Sequence, residues 1–495
     1  MTSGSGHILA LDQGTTGTRA ILFDERGRMV GKAYRPHRQY YPQPGLVEHD
    51  PAEIWAACRE VIGRVLAGRR VHVAGIGITN QRETVFVWDR KTGRPLGRGI
   101  VWQDRRTAPE CAVLRRRGAL AEVRRKTGLL LDPYFSGTKL AWILRNVPRA
   151  RALAQSGRLA FGTPDTWVIW NLTGGKVHAT DPTNASRTLL YNIIRREWDP
   201  GLLKMLGVPR SVLPEVRPSA GSFGVTVRQG PIPAGIPVAG VAGDQQSALF
   251  GQGCVSPGEM KVTYGTGAFL LLQTGARPVR SRHGLLTTVA CGTRGEATYA
   301  LEGSVFVAGA VVQWLRDELK IIATSPESEP LAKSVPDTLG VYLVPAFTGL
   351  GAPYWDPDAR GIVTGLTRGA GKAHLVRAAL EGIAYQTADV VSAMAADSGK
   401  PIRRLKVDGG ACANGFLMQF QSDILRAALV RPKNTETTAV GAAALAGLGV
   451  KFWSPADLAR LRASDRIFRP RMPESRRRFL TAGWRNAVSR ARTRG

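Results

Sequence analysis

A short segment near the amino terminus combines the residue types that bind phosphate groups. Between two apolar runs lie Asp12, Gly14, Gly17, three threonines and Arg19. The glycines are expected to take positive φ and turn backbone N–H groups toward one point, while the threonine hydroxyls and the guanidinium add donors. Asp12 is an anion in a loop that otherwise receives anions, which fits Mg²⁺ between its carboxylate and a polyphosphate. The segment predicts a nucleotide-phosphate clamp, with an ordinary Gly-Thr hairpin as the alternative.

Two β-hairpins are predicted to position this clamp. The apolar runs around residues 12–19 predict the first hairpin, and residues 260–272 repeat its layout of strand, Gly/Thr turn and strand. Residues 405–411 form a short apolar segment that runs into paired glycines, and a helical pattern follows. Two such hairpins, each opening an α/β unit, indicate a duplicated fold that closes around one nucleotide.

Strands and helices alternate along the chain, which predicts the α/β class. Asp50 and Pro51 are residue types expected at the N-cap and first turn of a helix, and apolar residues at helical spacing follow them. Residues 71–78 predict a buried strand that ends in the polar run 79–83. Functional residues commonly cluster where such strands end, so we expect part of the site there.

The charge of the chain indicates which partners to expect. The 495 residues carry a formal net charge of +30, mostly from arginines spread over the whole length. No run interleaves aromatic and basic residues, and no zinc-finger, RRM or helix-turn-helix pattern is present. We therefore expect arginines on solvated faces and no nucleic-acid partner, although the field favours a polyanionic substrate such as ATP.

The cysteines and the apolar runs predict a cellular location. Five cysteines are scattered and form no CxxC pair, which argues against a disulfide framework or a zinc site and for a reducing cytoplasm. The amino terminus has no signal-peptide pattern, and no apolar run approaches the ~18 residues of a membrane span. We expect a cytoplasmic protein without a membrane span.

Several motifs together resemble one superfamily of ATP-binding proteins. The two hairpins and the turn 408–410 are similar to the two phosphate motifs and the adenosine motif of the actin/Hsp70/sugar-kinase superfamily. Residues 134–146 resemble the first signature of the FGGY carbohydrate kinases, and residues 361–366 with 374–381 resemble the second. The similarity to the members that phosphorylate glycerol covers nearly the whole chain and includes residues 80–84, 102, 132–136, 243–246 and 345–356.

This resemblance implies two ribonuclease-H-like, actin-like ATPase domains with a catalytic cleft between them. The N-terminal kinase domain is expected over residues 1–250, the C-terminal kinase domain over 251–450, and a basic tail over 451–495 packed on the second domain. The implied reaction is in-line transfer from ATP to glycerol with Mg²⁺, giving ADP and sn-glycerol 3-phosphate in glycerol catabolism. Relatives are commonly dimers or tetramers, so a homodimer or homotetramer is expected.

Two other functions are alternatives. The nearest is another FGGY kinase that acts on a pentulose or a different polyol, which would need more room near Trp102 and Phe269. A non-catalytic ATP-binding or basic scaffold protein of the actin-like superfamily is the other. The polyol residues argue against a scaffold, because a scaffold needs no polyol site.

Asp244 is the residue expected to act in catalysis. It follows the predicted strand 237–241, and Gly243 permits close approach of a substrate to the backbone. An alcohol that attacks the γ-phosphorus must lose a proton, and a carboxylate within hydrogen-bond reach can accept it. The alternative is a Gly-Asp turn in which Asp244 caps the next helix.

The resemblance implies a polyol site of hydroxyl-binding side chains and an aromatic wall. Arg82, Glu83 and Gln245 bind hydroxyl groups, although an adjacent Arg-Glu pair is also a common surface ion pair. The wall packs against the carbon backbone of the polyol, although aromatic residues are more often core residues. The implied substrate-binding residues are Arg82, Glu83, Trp102, Tyr134, Asp244, Gln245 and Phe269.

The resemblance also implies a nucleotide site and its metal ligand. The phosphate-contacting residues are Thr15, Thr16, Gly17, Arg19 and Thr266. The positions around base and ribose are Gly309, Gln313, Gly410 and Asn414, and helix packing is the alternative for the two glycines. Asp12 holds Mg²⁺ largely through water. Gly17 stands where many glycerol-phosphorylating members carry Ser, which removes one hydroxyl donor that a backbone N–H can replace.

Two regulatory features of some bacterial members are not found. The loop 228–234 lacks the Gly-Gly-x-Gly-Gly run that binds fructose 1,6-bisphosphate in some members. Arg476 falls where others place the Glu of a zinc site shared with a phosphotransferase-system partner. We expect catalysis without these controls.

Overall fold

The computed structural model describes residues 6–493, so residues 1–5 of the expected first domain and 494–495 of the expected tail lie outside the described residues. The strands are β1 (Gly6–Gln13), β2 (Gly17–Phe23), β3 (Met29–Pro36), β4 (Glu48–His49), β5 (His72–Asn80), β6 (Phe86–Asp89), β7 (Gly99–Ile100), β8 (Leu159–Gly162), β9 (Ala179–Thr180), β10 (Tyr191–Asn192), β11 (Glu197–Trp198), β12 (Glu215–Val216), β13 (Val238–Gly243), β14 (Met260–Tyr264), β15 (Ala268–Gly275), β16 (Leu286–Cys291), β17 (Ala297–Val305), β18 (Tyr342–Val344), β19 (Ile362–Thr364), β20 (Arg404–Asp408), β21 (Ala428–Pro432) and β22 (Ser464–Phe468).

The helices are α1 (Pro51–Leu66), α2 (Ala108–Arg116), α3 (Leu120–Thr127), α4 (Ser136–Asn146), α5 (Pro148–Gln155), α6 (Pro164–Leu172), α7 (Pro182–Ala185), α8 (Pro200–Leu206), α9 (Asp244–Gly251), α10 (Gly309–Asp317), α11 (Ser328–Lys333), α12 (Lys372–Ser398), α13 (Gly415–Leu425), α14 (Thr437–Gly449) and α15 (Glu474–Ala491). Short 3₁₀ turns cover Arg210–Val212, Ser325–Glu327, Gly410–Ala413 and Asp457–Arg462.

The first sheet has the strand order β13-β5-β1-β2-β3. Strands β1 and β2 form the predicted hairpin, in which Asp12 pairs with Arg19 across the strands. Strand β5 runs parallel to β1, and β13 runs parallel to β5. The predicted start of α1 is also confirmed, because the Asp50 carboxylate accepts a hydrogen bond from the Ala52 N–H.

The second sheet repeats this arrangement. Its strand order is β16-β17-β15-β14-β20-β21-β22. The hairpin β14–β15 is antiparallel, β20 runs parallel to β14, and β21 runs parallel to β20. Five of its strands, β17-β15-β14-β20-β21, therefore reproduce the order and directions of the first sheet, which confirms the predicted duplication.

Three parallel strands of the first sheet end side by side. Gln13 of β1 pairs with Asn80 of β5, and Asn80 pairs with Gly243 of β13. The segments that follow these strands must therefore lie at one edge of the sheet. The tip of the first hairpin, the polar run after β5 and Asp244 meet there, as expected where parallel strands end.

Helix α14 lies between the two halves of the chain. It follows β21 of the second sheet in sequence, yet it packs against β1, β5 and β13 of the first sheet. Gly77 of β5 permits this contact, because a Cβ there would overlap the Ala442 carbonyl of α14. Gly240 of β13 does the same beneath Ala446. The first sheet is thus closed on one face by a helix from the C-terminal half.

The segment after residue 450 contacts both halves of the chain. Trp453 and Leu458 pack in the same apolar cluster as Ile8 and Phe23 of the first sheet. Strand β22 pairs with β21, and α15 packs against β18 and β19. Within residues 6–493, no helix is both long enough and apolar enough to cross a membrane.

The close approach of β5 and α14 leads to a stability prediction. Gly77→Ala should lower the free energy of unfolding by about 1–3 kcal/mol, because the new methyl group meets a backbone carbonyl that cannot move alone. Gly369→Ala is the control, since the nearest atom to a Cβ there lies 3.7 Å away. Denaturant unfolding of both variants measures the difference, and equal stability of the two would contradict this packing.

Candidate active site

Four charged side chains form a buried network at the edge where the strands end. Arg82 Nη1 and Nη2 donate to the two carboxylate oxygens of Glu302 at 2.7 and 2.9 Å. Arg187 Nη2 donates to Glu302 Oε1 at 2.9 Å, and its Nε donates to Glu83 Oε1 at 2.6 Å. All four residues are at most 3% exposed. We call Arg82, Glu83, Arg187 and Glu302 the charge network.

The charge network joins the two halves of the chain. Glu302 lies on β17 of the second sheet, whereas Arg82 and Glu83 follow β5 of the first. Burial alone would raise the pKa of Glu302, but the neighbouring Arg187 and Arg82 guanidiniums lower it to about 2. Burial raises the pKa of Glu83, and Arg82 and Arg187 oppose that rise. The surface-pair alternative for Arg82 and Glu83 is therefore wrong, because both side chains are buried.

The backbone at Glu83 is unusual. Its φ is +62°, a left-handed conformation that a non-glycine residue seldom adopts. Ser136 Oγ donates to the Glu83 carbonyl at 3.1 Å and helps to hold it. Residues held in such conformations cluster at functional sites, and here the turn directs the carboxylate inward to Arg187.

Asp244 is the first residue of α9, directly after β13. Its Oδ1 lies 3.3 Å from Arg82 Nε, and the side chain is 28% exposed. Gly243 occupies the N-cap position, and Asp244 Oδ1 accepts the Gln245 N–H at 2.7 Å, so the carboxylate also binds the first turn of the helix. A Cβ at Gly243 would lie 2.7 Å from Arg82 Cδ. The glycine therefore lets Asp244 and Arg82 approach, and the carboxylate stays partly open at the site.

Two of the predicted aromatic residues meet beside the charge network. The rings of Trp102 and Tyr134 lie edge to face, with centroids 5.6 Å apart. Arg82 Nη2 donates to Tyr134 Oη at 3.4 Å, and Trp102 Nε1 donates to Thr15 Oγ1 at 3.0 Å. Trp102 thus connects this wall with the first hairpin tip. Phe269 lies half-buried on β15, opposite Thr263 of β14.

The first hairpin tip is bound to the start of α14. Arg19 Nη1 donates to Glu436 Oε2, and Thr438 Oγ1 donates to Asp12 Oδ2 at 3.0 Å. The Asp12 carboxylate lies 3.8 Å from Arg19 Nη1. Burial raises the pKa of Asp12 to about 6, although the Arg19 charge opposes this. The sequence did not predict Glu436 and Thr438, whose contacts span more than 400 residues of chain.

The two glycines of this tip do not have the predicted backbone. Neither Gly14 nor Gly17 has a positive φ. Gly17 is needed for a different reason, because a Cβ there would lie 2.5 Å from Cζ of Tyr34. The Tyr34 ring covers the position that a side chain at residue 17 would take, and its Oη lies 3.4 Å from the Thr16 carbonyl.

The second hairpin tip docks on the start of α10. The Thr266 carbonyl accepts hydrogen bonds from the Ala308 and Ala310 N–H groups at 2.8 and 3.1 Å, and the Thr266 residue itself is exposed. A Cβ at Gly309 would lie 2.6 Å from the Gly265 carbonyl. Packing alone therefore requires Gly309 to be glycine. Gln313 is exposed one turn further along α10.

The expected adenosine residues lie at the start of α13. Asn414 is the N-cap of α13, where its side chain accepts the Leu417 N–H at 2.9 Å and donates to Ser328 at 3.2 Å. Gly410 differs from Gly309, because no atom lies within 4 Å of a Cβ placed there. Packing therefore does not explain the glycine at position 410. The space beside this residue is open to a ligand.

The acidic side chains near the hairpin tips do not form a complete metal site by themselves. One of them fits a metal ion that substrate phosphates also bind. Within the described residues, no group of three or more His, Cys, Asp or Glu side chains is placed to hold an ion. Asp12 is a single carboxylate of the first hairpin, with its side chain 13% exposed. Mg²⁺ is commonly held by one or two carboxylates together with substrate phosphates and waters, and Asp12 fits that role.

Two members of the charge network, Arg187 and Glu302, were not predicted from the sequence. Arg187 lies after α7 and Glu302 lies within a strand whose other residues are almost all buried. A lone Glu in such a strand was a usable signal, because a buried carboxylate needs a partner. Nothing local to Arg187 identified it as that partner.

Comparison with known proteins identifies the class. The model of the FGGY family of carbohydrate kinases, N-terminal domain, matches residues 7–251, and the C-terminal domain model matches residues 260–450. The chain belongs to the FGGY family of carbohydrate kinases. This confirms the family and the α/β fold that the motifs predicted.

Several relatives carry a narrower name than the family. The chain is 60% identical to a glycerol kinase of Symbiobacterium thermophilum, with 98% of both chains covered. It is 58% identical to glycerol kinase 2 of Pseudomonas aeruginosa, over 98% of this chain and 97% of that one. It superimposes on Plasmodium falciparum glycerol kinase with ADP at a TM-score of 0.93 and 39% identity, with 98% of both chains covered.

The lowered pKa of Glu302 predicts how stability depends on pH. A carboxylate whose pKa falls from 4.5 to about 2 on folding stabilises the fold above pH 4.5, and this contribution is lost as pH falls toward 2. Glu302→Gln should lower the free energy of unfolding by about 3–5 kcal/mol near neutral pH, because two buried guanidiniums lose their counter-charge.

Denaturant unfolding at a series of pH values checks this expectation. The difference between wild type and Glu302→Gln should shrink as pH falls below 4.5. The exposed Glu318→Gln is the control and should show no such trend. A difference that stays constant with pH would contradict an ionised Glu302 in the network.

Proposed function

We propose that this chain transfers the γ-phosphoryl group of ATP to glycerol, giving ADP and sn-glycerol 3-phosphate. The observation that carries this proposal is the position of Asp244, a partly open carboxylate 3.3 Å from Arg82 at the edge that also holds the phosphate hairpin. The relatives named glycerol kinase support the choice of glycerol over other FGGY substrates. Glycerol catabolism is the proposed physiological context.

Glycerol lies between the charge network and the aromatic wall in this proposal. Arg82 donates to one hydroxyl group and Glu83 accepts from another, since these side chains are complementary in hydrogen bonding. Trp102 and Tyr134 cover the carbon backbone, and Phe269 joins them from β15. The buried ion pairs hold the guanidinium and carboxylate in place before the substrate binds, which lowers the entropy lost on binding.

Asp244 acts as the general base. The attacking hydroxyl group donates its proton to the carboxylate while its oxygen forms the bond to the γ-phosphorus and ADP leaves in line. Arg82 Nε, 3.3 Å from Asp244 Oδ1, holds the carboxylate in place at the site. Assistance of this kind contributes roughly 10²–10⁴-fold in rate.

The two hairpin tips hold the nucleotide from opposite sides. Donors of the first tip and Thr266 of the second contact the phosphates, and Arg19 exchanges the Glu436 carboxylate for a phosphate oxygen. Gly410 lies beside the adenosine in the open space described above. The nucleotide-binding residues are Thr15, Thr16, Gly17, Arg19, Thr266, Gly309, Gln313, Gly410 and Asn414.

Mg²⁺ completes the nucleotide site in this proposal. When bound, the ion neutralises charge on the phosphates of ATP. Asp12 holds it, largely through water, because Mg²⁺ dehydrates reluctantly. The contact of Thr438 Oγ1 with Asp12 Oδ2 orients the carboxylate for this role.

We further propose the organisation and location of the protein. Residues 1–250 and 251–450 form the two kinase domains. Residues 451–495 form a basic tail that packs on the second domain and also reaches the first sheet through Trp453 and Leu458. The protein forms a homodimer or homotetramer. The five cysteines are free and buried, which favours the reducing cytoplasm. We also propose that the protein binds no nucleic acid.

A substrate panel tests the proposed acceptor. With ATP and Mg²⁺, the purified protein should phosphorylate glycerol with kcat/KM at least ~100-fold above that for xylulose, ribulose or gluconate, since these larger substrates need more room near Trp102 and Phe269. A coupled assay of ADP release measures each rate. Equal rates, or a preference for a pentulose, would support the alternative FGGY kinase instead.

Asp244→Asn tests the general base. We expect kcat to fall by roughly 10²–10⁴-fold because the amide cannot accept the proton. ADP affinity, measured by calorimetry, should stay nearly unchanged. Asp317→Asn, at an exposed carboxylate, is the matched control. Full activity of Asp244→Asn would show that another group accepts the proton.

A further inference from the structure

Lys261 is a buried cation that the proposed mechanism has not used. It lies on β14 and is fully buried. Its Nζ donates to Gln245 Oε1 and, at 2.8 Å, to Thr263 Oγ1. In the part of the chain that the structure describes, no carboxylate lies within ion-pair distance of this ammonium. Lys261 therefore has polar partners but no direct counter-charge.

The environment of this ammonium connects it to the catalytic residues. Burial lowers the pKa of Lys261 to about 8, and Asp408 of β20 and Asp244 of α9 oppose the shift. Arg82, which follows β5, adds to the shift, while Glu302 of β17 opposes it. A buried charge without a direct partner destabilises a fold by several kcal/mol in general. Strongly shifted groups of this kind are concentrated at functional sites.

The hydrogen bond from Lys261 decides the orientation of the Gln245 amide. An amide side chain has one accepting oxygen and one donating NH₂ group. Because Lys261 can only donate, it must take the oxygen, and the NH₂ group faces the other way. Among the described residues, Gln245 Nε2 has no hydrogen-bond acceptor, so it is free to donate to a ligand.

We propose that Lys261 is a positioning residue of the phosphoryl-transfer site. It holds Gln245 as a donor to a hydroxyl oxygen of the acceptor, and its positive charge interacts with the Asp244 carboxylate. This inference rests on the proposed function and deepens it, since it explains how Gln245 becomes selective for a hydroxyl group. Lys261 acts through Gln245 and Asp244 and does not touch the transferred group.

The neighbouring strand offers a matched control. Lys406 of β20 pairs in register with Lys261. Its Nζ donates to the Gln252 carbonyl at 2.6 Å, beyond the other end of α9. The two lysines thus occupy equivalent places on adjacent strands, but Lys406 contacts a backbone carbonyl outside the site. Replacing either one by Met removes the same charge and nearly the same volume.

Kinetics of Lys261→Met and Lys406→Met form the first part of the test. Lys261→Met should raise KM for glycerol and lower kcat, with kcat/KM falling ~10- to 100-fold as a charged hydrogen bond is lost. Lys406→Met should keep both constants within about two-fold of wild type, as surface-like changes away from a site usually do. Thermal unfolding should show Lys261→Met no less stable than wild type, because removing a buried charge is often stabilising. A lysine with only a structural role would leave both kinetic constants unchanged when it is replaced, and its loss would lower the thermal stability.

The pH profile separates charge from packing. Wild-type kcat/KM for glycerol should decline as pH rises through about 8, where Lys261 loses its proton. In Lys261→Arg the guanidinium stays charged, so this decline should disappear and activity at pH 7 should exceed that of Lys261→Met. If Lys261→Met fails to fold, the pH profile of Lys261→Arg still tests the role of Lys261.

The possible results separate this inference from the proposed function. A wild type that does not phosphorylate glycerol overturns both. An active wild type together with unchanged kinetics in Lys261→Met overturns the role of Lys261 alone. A decline of kcat/KM at alkaline pH that persists unaltered in Lys261→Arg also overturns the role of Lys261 alone.

Discussion

The site depends on the ion pair between Arg82 and Glu302. These residues come from opposite halves of the chain, and both are buried, so neither can separate from the other without leaving a charge unpaired in the interior. The pair therefore holds the second sheet against the edge of the first and fixes the guanidinium of Arg82. The remaining Nε of that guanidinium faces Asp244. One contact thus joins the two halves and orients the carboxylate that we propose as the general base.

The duplicated hairpins place a second constraint on the cleft. The first tip is tied to the start of α14 by Glu436 and Thr438, and the second rests on the start of α10 through backbone hydrogen bonds. Helix α14 in turn packs so closely on the first sheet that glycine is required at Gly77. The position of the first tip therefore follows that of α14, and a ligand that engages Arg19 must compete with Glu436.

Much of the fold could be predicted because its determinants are local. Alternating apolar residues, a Gly/Thr turn and an Asp-Pro helix start specify hairpins and helices over a few residues. The same reasoning failed at Gly14 and Gly17, where it predicted positive φ. Glycine at position 17 instead makes room for Tyr34, a residue of the next strand whose arrival no local pattern indicates. Local rules identified the special position but not its physical reason.

The sequence by itself determined the kind of chemistry. Short motifs singled out Asp12 and Asp244, because metal-assisted phosphate binding and proton transfer both use carboxylates, and the family resemblance singled out Arg82 as a hydroxyl donor. Only the tertiary structure decided which charges meet. Glu302 lies 220 residues from Arg82, and Arg187 lies 104 residues from Glu83. Such partners are selected by the requirement that buried charges be neutralised, and that requirement acts only once the chain has folded.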